Sequence, residues 1–332
     1  MLAKNELRLN SQIISNRFFV VSKGGAMEEF TKELLDQLNV NTAFTIGPFA
    51  ISESVVITWV VMACGLLFVI VGGNFDLSIG MLMTMSGIIC IKFYDTHGIY
   101  TAVALAVIFG IFIGLINGFL VGYMKLNSMI VTLSMESFLT VMILRYSGGK
   151  ITRVNSDSKA LAFFDQGRFL GLPISIYVYL LIILFSFILL EKTVFGRQIK
   201  AVGGNALASR FSGINDRWAV TKSYMMCGAM AGLGGVLYAS RVLSVQVEAG
   251  SGYETTVLTI VILAGTKITG GEGKVGKTVL AATILGCLSN GFIMIGLPYY
   301  FQWIVQWVAI IAVVWMTANP IALIKKRREK SV

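Results

Sequence analysis

Long apolar segments separated by short polar ones run through most of the chain. A helix needs about 20 mostly apolar residues to cross the hydrocarbon core of a bilayer, and about nine segments after residue 48 fit that description. The pattern therefore predicts an all-α, polytopic membrane fold with about nine to ten transmembrane helices. The predicted spans are 49–72, 76–93, 99–123, 128–146, 172–190, 218–243, 253–266, 274–296 and 299–318.

Three of these spans are short or interrupted by polar residues. Span 76–93 begins with Asp76, span 128–146 contains Glu136 among several Ser and Thr residues, and span 253–266 is short. Broken helices of this kind often line a transport pathway, because irregular backbone in a membrane must be surrounded by protein or by a water-filled cavity. We therefore expect some of the helices to be short or broken.

The first 48 residues differ from the rest of the chain. Their basic and acidic residues cancel, and no apolar run among them is long enough to span a membrane. Phe30, Leu34 and Leu38 fall on one helical face, which predicts an amphipathic helix at a surface. The chain thus divides into a polar or amphipathic segment 1–48, a transmembrane domain 49–320 and a basic tail 321–332.

Composition supports membrane insertion. Hydrophobic residues make up 56% of the chain and charged residues 13%, whereas about 25% of the residues in a typical soluble domain are charged. Much of the net charge of +10 comes from Lys and Arg residues beside apolar segments, as in cytoplasmic loops. The lipid bilayer is therefore an expected partner, and nucleic acid is not.

The distribution of positive charge predicts an orientation. Residues 191–217 and the tail are rich in Lys and Arg, so both are expected on the cytoplasmic side. Four predicted spans separate them, an even number, so the two assignments agree and the C-terminus is cytoplasmic. By the same count Lys125 lies in an inside turn, and 147–171 lies outside.

The sequence indicates neither a metal site nor a catalytic site. Its cysteines lie in apolar segments without a CxxC pair, and its single histidine, His97, lies in a short turn. No nucleophile with a base and an orienting group is recognisable, so we expect a non-enzymatic subunit without a cofactor of its own. Residues 271–278 match the phosphate-binding pattern G-x-x-x-x-G-K-[ST]. They join two predicted spans, so a glycine-rich turn is the favoured interpretation.

Glycines recur with a helical period in the third span. Spaced four residues apart, they lie along one face of the helix and predict close packing against a neighbouring helix. The residues are Gly110, Gly114, Gly118 and Gly122.

Polar side chains within the spans are candidates for a pathway, because burying them in a membrane is costly. Asp76 indicates a break in the helix, and its carboxylate either caps the next helix or lines the pathway. Glu136 faces either a water-filled cavity or an interface. Asn117 and Asn290 favour interhelical hydrogen bonds over substrate contact. The pathway candidates are Asp76, Asn117, Thr132, Glu136 and Asn290.

Residues 193–214 form the most informative polar segment. They combine basic residues, a cap site at Gly203-Gly204-Asn205 and a short predicted helix over 206–211. A compact cytoplasmic helix between two spans predicts a docking site for a partner, and an ordinary basic loop is the alternative.

Four segments together resemble the permease subunits of bacterial ATP-binding-cassette importers for monosaccharides, of the ribose and galactose type. The resemblance covers about residues 64–320. Residues 72–80 resemble the GG-x-DLS-x-G signature with one extra residue, 130–133 resemble part of FIVTLG with Ser134 in place of Gly, 195–215 resemble FGR…GGN…SGIN, and 249–273 resemble AG-x-GYE…GGT-x-x-GG-x-G.

This resemblance implies a transport subunit in the bacterial inner membrane that pairs with a second permease chain, either a copy of itself or a sister chain. It also implies a cytoplasmic ABC ATPase, which carries ATP and Mg²⁺, and an extracytoplasmic sugar-binding protein. The loop that meets the ATPase in that family corresponds here to Gly196, Arg197, Gly203, Gly204, Asn205 and Gly213.

A second, shorter likeness concerns the N-terminal part. Residues 27–62 resemble the start of the proton-channel a subunit of F-type ATP synthases, but no later span carries that subunit's Leu-Arg-Leu-Phe-Gly-Asn stretch. This likeness makes a proton-channel subunit of a rotary ATPase one alternative function. The other alternative is a stand-alone secondary transporter, which works without an ATPase partner. The topology of the N-terminal part stays open at this point.

Overall fold

The structure is a computed structural model that describes residues 42–46, 49–155, 159–169, 172–295, 301, 303–305, 307, 308 and 311. Three predictions lie wholly or mostly outside these residues: the amphipathic helix around 30–38, the span 299–318 and the basic tail. The chain divides into an N-terminal unit, residues 1–53, and a larger unit, residues 54–332.

The described part of the N-terminal unit contains an antiparallel hairpin. Strand β1 (Thr42–Ile46) pairs with strand β2 (Phe49–Ser52), with Ile46 opposite Phe49 and Thr45 opposite Ala50. The prediction that the first span begins at residue 49 is wrong, since its helix begins at Glu53. An apolar run as short as Phe49-Ala50-Ile51 does not distinguish strand from helix by composition.

The larger unit is helical, with two pairs of short strands among its described residues. Its strands β3 (Thr152–Arg153) and β6 (Ser244–Val245) pair with each other, as do β4 (Arg168–Phe169) and β5 (Leu172–Pro173). The helices are α1 (Glu53–Val71), α2 (Ile79–His97), α3 (Ile99–Gly122), α4 (Ser128–Ser147), α5 (Lys159–Gln166), α6 (Ile174–Phe187, continued by a π-helical turn Ile188–Lys192), α7 (Val194–Gly204), α8 (Ala206–Phe211), α9 (Asp216–Val242), α10 (Tyr253–Leu263) and α11 (Val275–Met294).

Helices occupy eight of the nine predicted spans, and the all-α prediction is confirmed. Among the described residues, four helices are long and apolar enough to cross a membrane, namely Ile99–Gly122, Ser128–Ser147, Ile174–Lys192 and Val275–Phe292. Helix α10 is the short helix predicted from span 253–266. Residues 301, 303–305, 307, 308 and 311 are also helical.

Helices α1 and α2 form the buried centre of the larger unit. Nearly every side chain from Val60 to Val71 is enclosed, and so are most side chains of α2. A helix that is apolar on all sides is expected in such a central position. Helix α3, by contrast, buries one face and exposes an apolar stripe that includes Ile108, Phe112 and Phe119, as expected of a helix that contacts lipid.

Helices α3 and α9 pack at very short range through glycines. A Cβ atom built on Gly110 would lie 2.2 Å from the carbonyl oxygen of Gly228, and one built on Gly114 would lie 2.3 Å from that of Tyr224. The Thr221 hydroxyl donates a hydrogen bond of 2.9 Å to the carbonyl of Gly118 across the same contact. Gly122 packs against the backbone of Arg217. The backbones can approach this closely because no side chain separates them.

We expect Gly110→Ala to destabilise the protein, because its methyl group would overlap the Gly228 carbonyl. The thermal unfolding midpoint in detergent, measured by size-exclusion chromatography of heated samples, should fall by several degrees. Gly276→Ala is the matched control, since a Cβ there meets no atom within 4 Å and alanine favours a helix by about 1 kcal/mol over glycine. Equal midpoints for the two variants would contradict the close packing of α3 on α9.

Candidate functional site

The chain between α1 and α2 is a break in helical structure that is embedded in the protein. The N–H groups of residues 72–74 donate to carbonyls in the last turns of α1, and later groups bond to side chains. The Phe75 N–H donates to the Ser128 hydroxyl at 3.2 Å, and the Phe75 carbonyl accepts from the hydroxyl of the fully buried Tyr224 at 2.7 Å. Non-helical backbone can persist inside a membrane protein only when such partners replace water. The predicted break at Asp76 is therefore present, and we call residues 72–78 the broken segment.

Asp76 stabilises the end of the broken segment. Its carboxylate, 1% exposed as a residue, accepts hydrogen bonds from the backbone N–H of Ser78 at 3.0 Å and from the Ser78 hydroxyl at 2.6 Å. The Asn117 amide of α3 in turn donates to the Ser78 hydroxyl oxygen at 3.1 Å. The Ser78 N–H lies before the first residue of α2, and α2 has no side-chain capping bond at its start. Asp76 therefore stabilises a turn within the broken segment, and Ser78 joins Asp76 to Asn117.

The other pathway candidates lie on neighbouring helices. Thr132 is buried and donates to the Ser128 carbonyl one turn earlier in α4, beside the Ser128 hydroxyl that holds the broken segment. Glu136 lies one turn further along α4, is partly exposed and interacts electrostatically with Glu254 at the start of α10. Asn290 lies on α11, which packs against α10 and α6, so no described contact joins it to the remaining four.

Helices α7 and α8, which we call the loop helices, are capped at each boundary. The side chains of Thr193, Asn205 and Asn215 accept backbone N–H bonds at the starts of α7, α8 and α9. Each cap satisfies an N–H group that the helix itself leaves without a partner. The predicted short helix over 206–211 and the cap at Asn205 are both present in the structure.

The inner face of α7 is packed against the end of α1. Gly196, Ile199 and Val202 are buried, and the Phe195 ring lies 6.2 Å from the Phe68 ring of α1. A Cβ atom on Gly196 would lie 2.1 Å from the Leu190 carbonyl oxygen. The loop helices are therefore held firmly on their inner side.

The outer face of the loop helices exposes large apolar side chains between cations. Phe211 is 85% exposed and Leu207 is 64% exposed, with Trp218 of α9 nearby in sequence at 45%. Arg197 is exposed on α7, and Gly213, which has a φ of 77°, forms the turn after α8. An exposed apolar group of this kind, bordered by polar residues, is typical of a protein contact surface.

Asp216 connects the loop helices to the turn after α3. Its carboxylate, 7% exposed, lies 2.7 Å from the Arg210 guanidinium and 2.7 Å from the Lys125 ammonium. The hydrogen bond from Arg210, reinforced by Lys125, lowers the pKa of Asp216 to about 2. Lys125 and the segment 191–217 therefore lie at the same end of the larger unit, which is consistent with the sequence-based expectation that they share one side of the membrane.

Glycines from three distant parts of the chain meet where α7 ends. A Cβ atom on Gly203 would lie 1.9 Å from the Val71 carbonyl oxygen, and that oxygen accepts a hydrogen bond of 2.8 Å from the Gly271 N–H. A Cβ on Gly270, whose φ is 90°, would lie 2.8 Å from the Cα of Gly73. We call this contact of Gly73, Gly203, Gly270 and Gly271 around the Val71 carbonyl the glycine junction. It joins the loop helices to the broken segment through backbone atoms.

Residues 271–278, which match the phosphate-binding pattern, begin at the glycine junction and do not have the surroundings of a phosphate site. The residues before this turn form helix α10 and not a strand, and the Gly271 N–H is already bonded to Val71. Lys267 pairs with Glu272 within the turn. The pattern is thus part of a packed turn, and among the described residues no group of acidic, histidine or cysteine side chains could hold a metal ion.

Sequence reasoning missed several residues of this region. Ser128 and Tyr224 connect the broken segment to α4 and α9, but each is a common residue within an apolar span and neither carries a distinctive spacing. Ser78 and Glu254 were noticed only as parts of motifs. The position of Glu254 within the short span 253–266 was the available signal, since acidic residues in spans are rare.

Most of the chain is similar in sequence to known proteins. Residues 51–314 match the family model described as "Branched-chain amino acid transport system / permease component". The ribose import permease protein of Escherichia coli (strain K12) is 34% identical over 257 residues, covering 76% of this chain and 80% of that protein.

Two further relatives show similar coverage. The ribose import permease protein of Bacillus subtilis (strain 168) is 31% identical over 255 residues, covering 76% of this chain and 79% of that protein. The L-arabinose transport system permease protein of Escherichia coli (strain K12) is 30% identical over 256 residues, covering 76% and 77%. No solved structure gave a significant match.

We expect Gly203→Ala to release the loop helices from the glycine junction, because its methyl group would overlap the Val71 carbonyl. Limited trypsin digestion in detergent should then cleave at Arg197 or Lys200 several times faster than in the wild type. Gly204→Ala is the matched control, because a Cβ there meets only the Gly271 Cα at 4.0 Å. Equal cleavage rates in the two variants would contradict the junction.

We expect Asp216→Asn to lower the free energy of unfolding by about 1 kcal/mol at pH 7, since both cations lose their partner. The folded-state pKa of about 2 lies below the ordinary value of about 3.9. The carboxylate therefore stabilises the fold above about pH 4, and this contribution declines toward pH 2. The measurement is thermal unfolding at pH 7 and pH 3. The difference in unfolding midpoint between Asp216→Asn and the wild type should be smaller at pH 3. Glu248→Gln, at an exposed carboxylate, is the control, and a pH-independent difference would refute the interpretation.

Proposed function

The chain belongs to the family of permease components of the branched-chain amino acid type, and from that premise we propose that it is the membrane-spanning permease subunit of an ATP-driven importer for a monosaccharide. Relatives that are 30–34% identical over three quarters of the chain are named as ribose and L-arabinose permeases. The transported substrate is accordingly a pentose or a similar sugar. The subunit itself carries out transport and not catalysis.

The observation that carries this proposal is the glycine junction. A permease driven by a separate ATPase needs a rigid mechanical connection between the docking surface and the substrate pathway. Backbone-to-backbone contact at Gly203 and Gly270 supplies such a connection, because it contains no flexible side chain that could absorb a displacement. A movement of the loop helices would therefore be transmitted to the broken segment, where Asp76 lies.

The outer face of the loop helices is the docking surface for a cytoplasmic ABC ATPase subunit in this proposal. Phe211 and Leu207 offer apolar anchors, and a cavity of about 400 Å³ beside Trp218 could receive a side chain of the partner. ATP and Mg²⁺ are bound and used on that partner. Arg197, Asn205 and Gly213 shape the surface as exposed residue, helix cap and turn.

The remaining partners follow from the importer architecture. A second permease chain, either a copy or a sister, would complete the pathway, and an extracytoplasmic binding protein would deliver the sugar. The cations around Asp216 support a cytoplasmic location for the loop helices, in a bacterial inner membrane. With that orientation, the basic C-terminal tail is also cytoplasmic.

The two alternative functions receive no support from the matches. The family model begins at residue 51 and so includes part of the segment 27–62 that resembles the a subunit of rotary ATPases. The matched relatives are named as permeases of ribose and L-arabinose. A stand-alone carrier would need no docking surface, whereas Phe211 and Leu207 are strongly exposed.

We expect Phe211→Ala combined with Leu207→Ala to weaken the complex with the ATPase subunit at least tenfold, because both anchors are lost. The test is quantitative co-purification of the co-expressed ATPase through a tag on the permease, followed by ATP-driven sugar uptake in proteoliposomes. Tyr100→Ala is the control, since Tyr100 is 89% exposed but lies at the start of α3, away from the loop helices.

Two results would contradict the proposal. Undiminished co-purification of the double variant would exclude the loop helices as the docking surface. Sugar uptake by the permease alone, driven by an ion gradient without ATP, would instead indicate a secondary carrier.

A further inference from the structure

A small cavity lies beside the start of α10 and is separate from the glycine junction. Its volume is about 250 Å³, which is below the roughly 300–1,000 Å³ of sites for drug-sized molecules. A ligand smaller than a drug-sized molecule would therefore fit it. The lining residues that carry the argument are Glu254, Thr255, Thr259, Trp303 and Trp307.

The polar wall of the cavity accepts hydrogen bonds. Glu254 lines the cavity, and its Oε1 accepts the Gly252 N–H at 3.1 Å and retains a further lone pair. Its Oε2 is buried next to Gly80 without a hydrogen-bond partner among the described residues. The hydroxyls of Thr255 and Thr259 donate to the carbonyls of Gly252 and Thr255, at 2.8 and 2.7 Å. Since their protons are engaged, the oxygens offer lone pairs to a ligand. The wall is suited to a ligand with several O–H or N–H donors.

The rest of the cavity lining includes two aromatic side chains. Trp303 and Trp307 are four residues apart in a helical stretch, so they lie on the same face, and they are 48% and 55% exposed. An indole offers a flat apolar surface. A monosaccharide ring has a face of C–H groups that can stack on such a surface and a rim of hydroxyl donors, which is the combination that this cavity accommodates.

The cavity adjoins the start of α2, directly after the broken segment. The turn before α10 packs against α2 through glycines, and a Cβ atom on Gly250 would lie 2.0 Å from the Gly80 carbonyl oxygen. The interaction between Glu254 and Glu136 extends the polar region to α4. A displacement of the broken segment would therefore reach the wall of the cavity.

We propose that this cavity is a transient binding site for one monosaccharide within the permease, with Trp303 and Trp307 stacking on the ring and Glu254, Thr255 and Thr259 accepting hydrogen bonds from its hydroxyls. The inference rests on the proposed function as a sugar permease. It adds a selective step inside the membrane to the selection made by the delivering protein.

The experiment measures ATP-driven uptake in proteoliposomes that contain the permease, its ATPase and its binding protein. The probes are radiolabelled D-ribose, L-arabinose and D-galactose, with L-leucine as the competing class. The variants are Thr255→Val, Trp307→Leu and Trp307→Phe. Thr256→Val is the matched control, because Thr256 is adjacent on α10 but does not line the cavity. Binding-protein-stimulated ATP hydrolysis is measured in each preparation to report assembly.

We expect Thr255→Val and Trp307→Leu to reduce sugar uptake at least tenfold while stimulated ATP hydrolysis and Thr256→Val uptake stay within twofold of wild type. Trp307→Phe keeps an aromatic face and should retain uptake within about threefold. The cavity assignment would be overturned if Thr255→Val and Trp307→Leu took up sugar at the wild-type rate. It would also be overturned if Trp307→Phe and Trp307→Leu lost sugar uptake equally. Both results would leave the proposed function intact. Uptake of L-leucine but of no sugar by the wild type would overturn both.

Discussion

Every backbone polar group inside a membrane protein needs a partner within the protein, and this constraint governs the centre of the structure. Residues 72–78 leave helical geometry between two buried helices, and carbonyls of α1 together with Ser128, Tyr224 and Asp76 satisfy backbone groups of this segment. Helices α4 and α9 are thereby fixed beside the break. The broken segment is therefore irregular at a place where a continuous helix would satisfy the same backbone groups by itself.

The second organising element is close backbone contact. Glycines bring α3 against α9 and bring the loop helices against the end of α1, with spacing that no other residue would allow. Membrane helices gain little from the hydrophobic effect among themselves, so packing of this kind supplies much of their association energy. The same contacts make the assembly stiff, and stiffness is what a subunit moved by an external ATPase requires.

Local features were predictable from the sequence, and features that depend on distant contacts were not. The break at Asp76, the cap at Asn205 and the helix over 206–211 each follow from residues within one turn of the chain. The meeting of Gly73, Gly203 and Gly270 does not, because roughly 130 and 70 residues separate them and no spacing rule connects them. The strand at 49–52 was missed because three apolar residues followed by a serine are too short a run to show a period. The tryptophans of the cavity lie in a span whose depth in the protein the sequence leaves undetermined.

The two faces of α7 and α8 differ in the kind of atoms they present. The inner face makes its contacts at the glycine junction through main-chain atoms, which change little when side chains are substituted. The outer face presents the exposed side chains of Leu207, Phe211 and Arg197. If the proposed function holds, partner choice would depend on these side chains, whereas transmission of a displacement would depend on the main chain of the same short segment. Duplicated permeases could diverge to recognise different ATPases through outer-face substitutions alone, while the inner mechanical linkage is inherited unchanged.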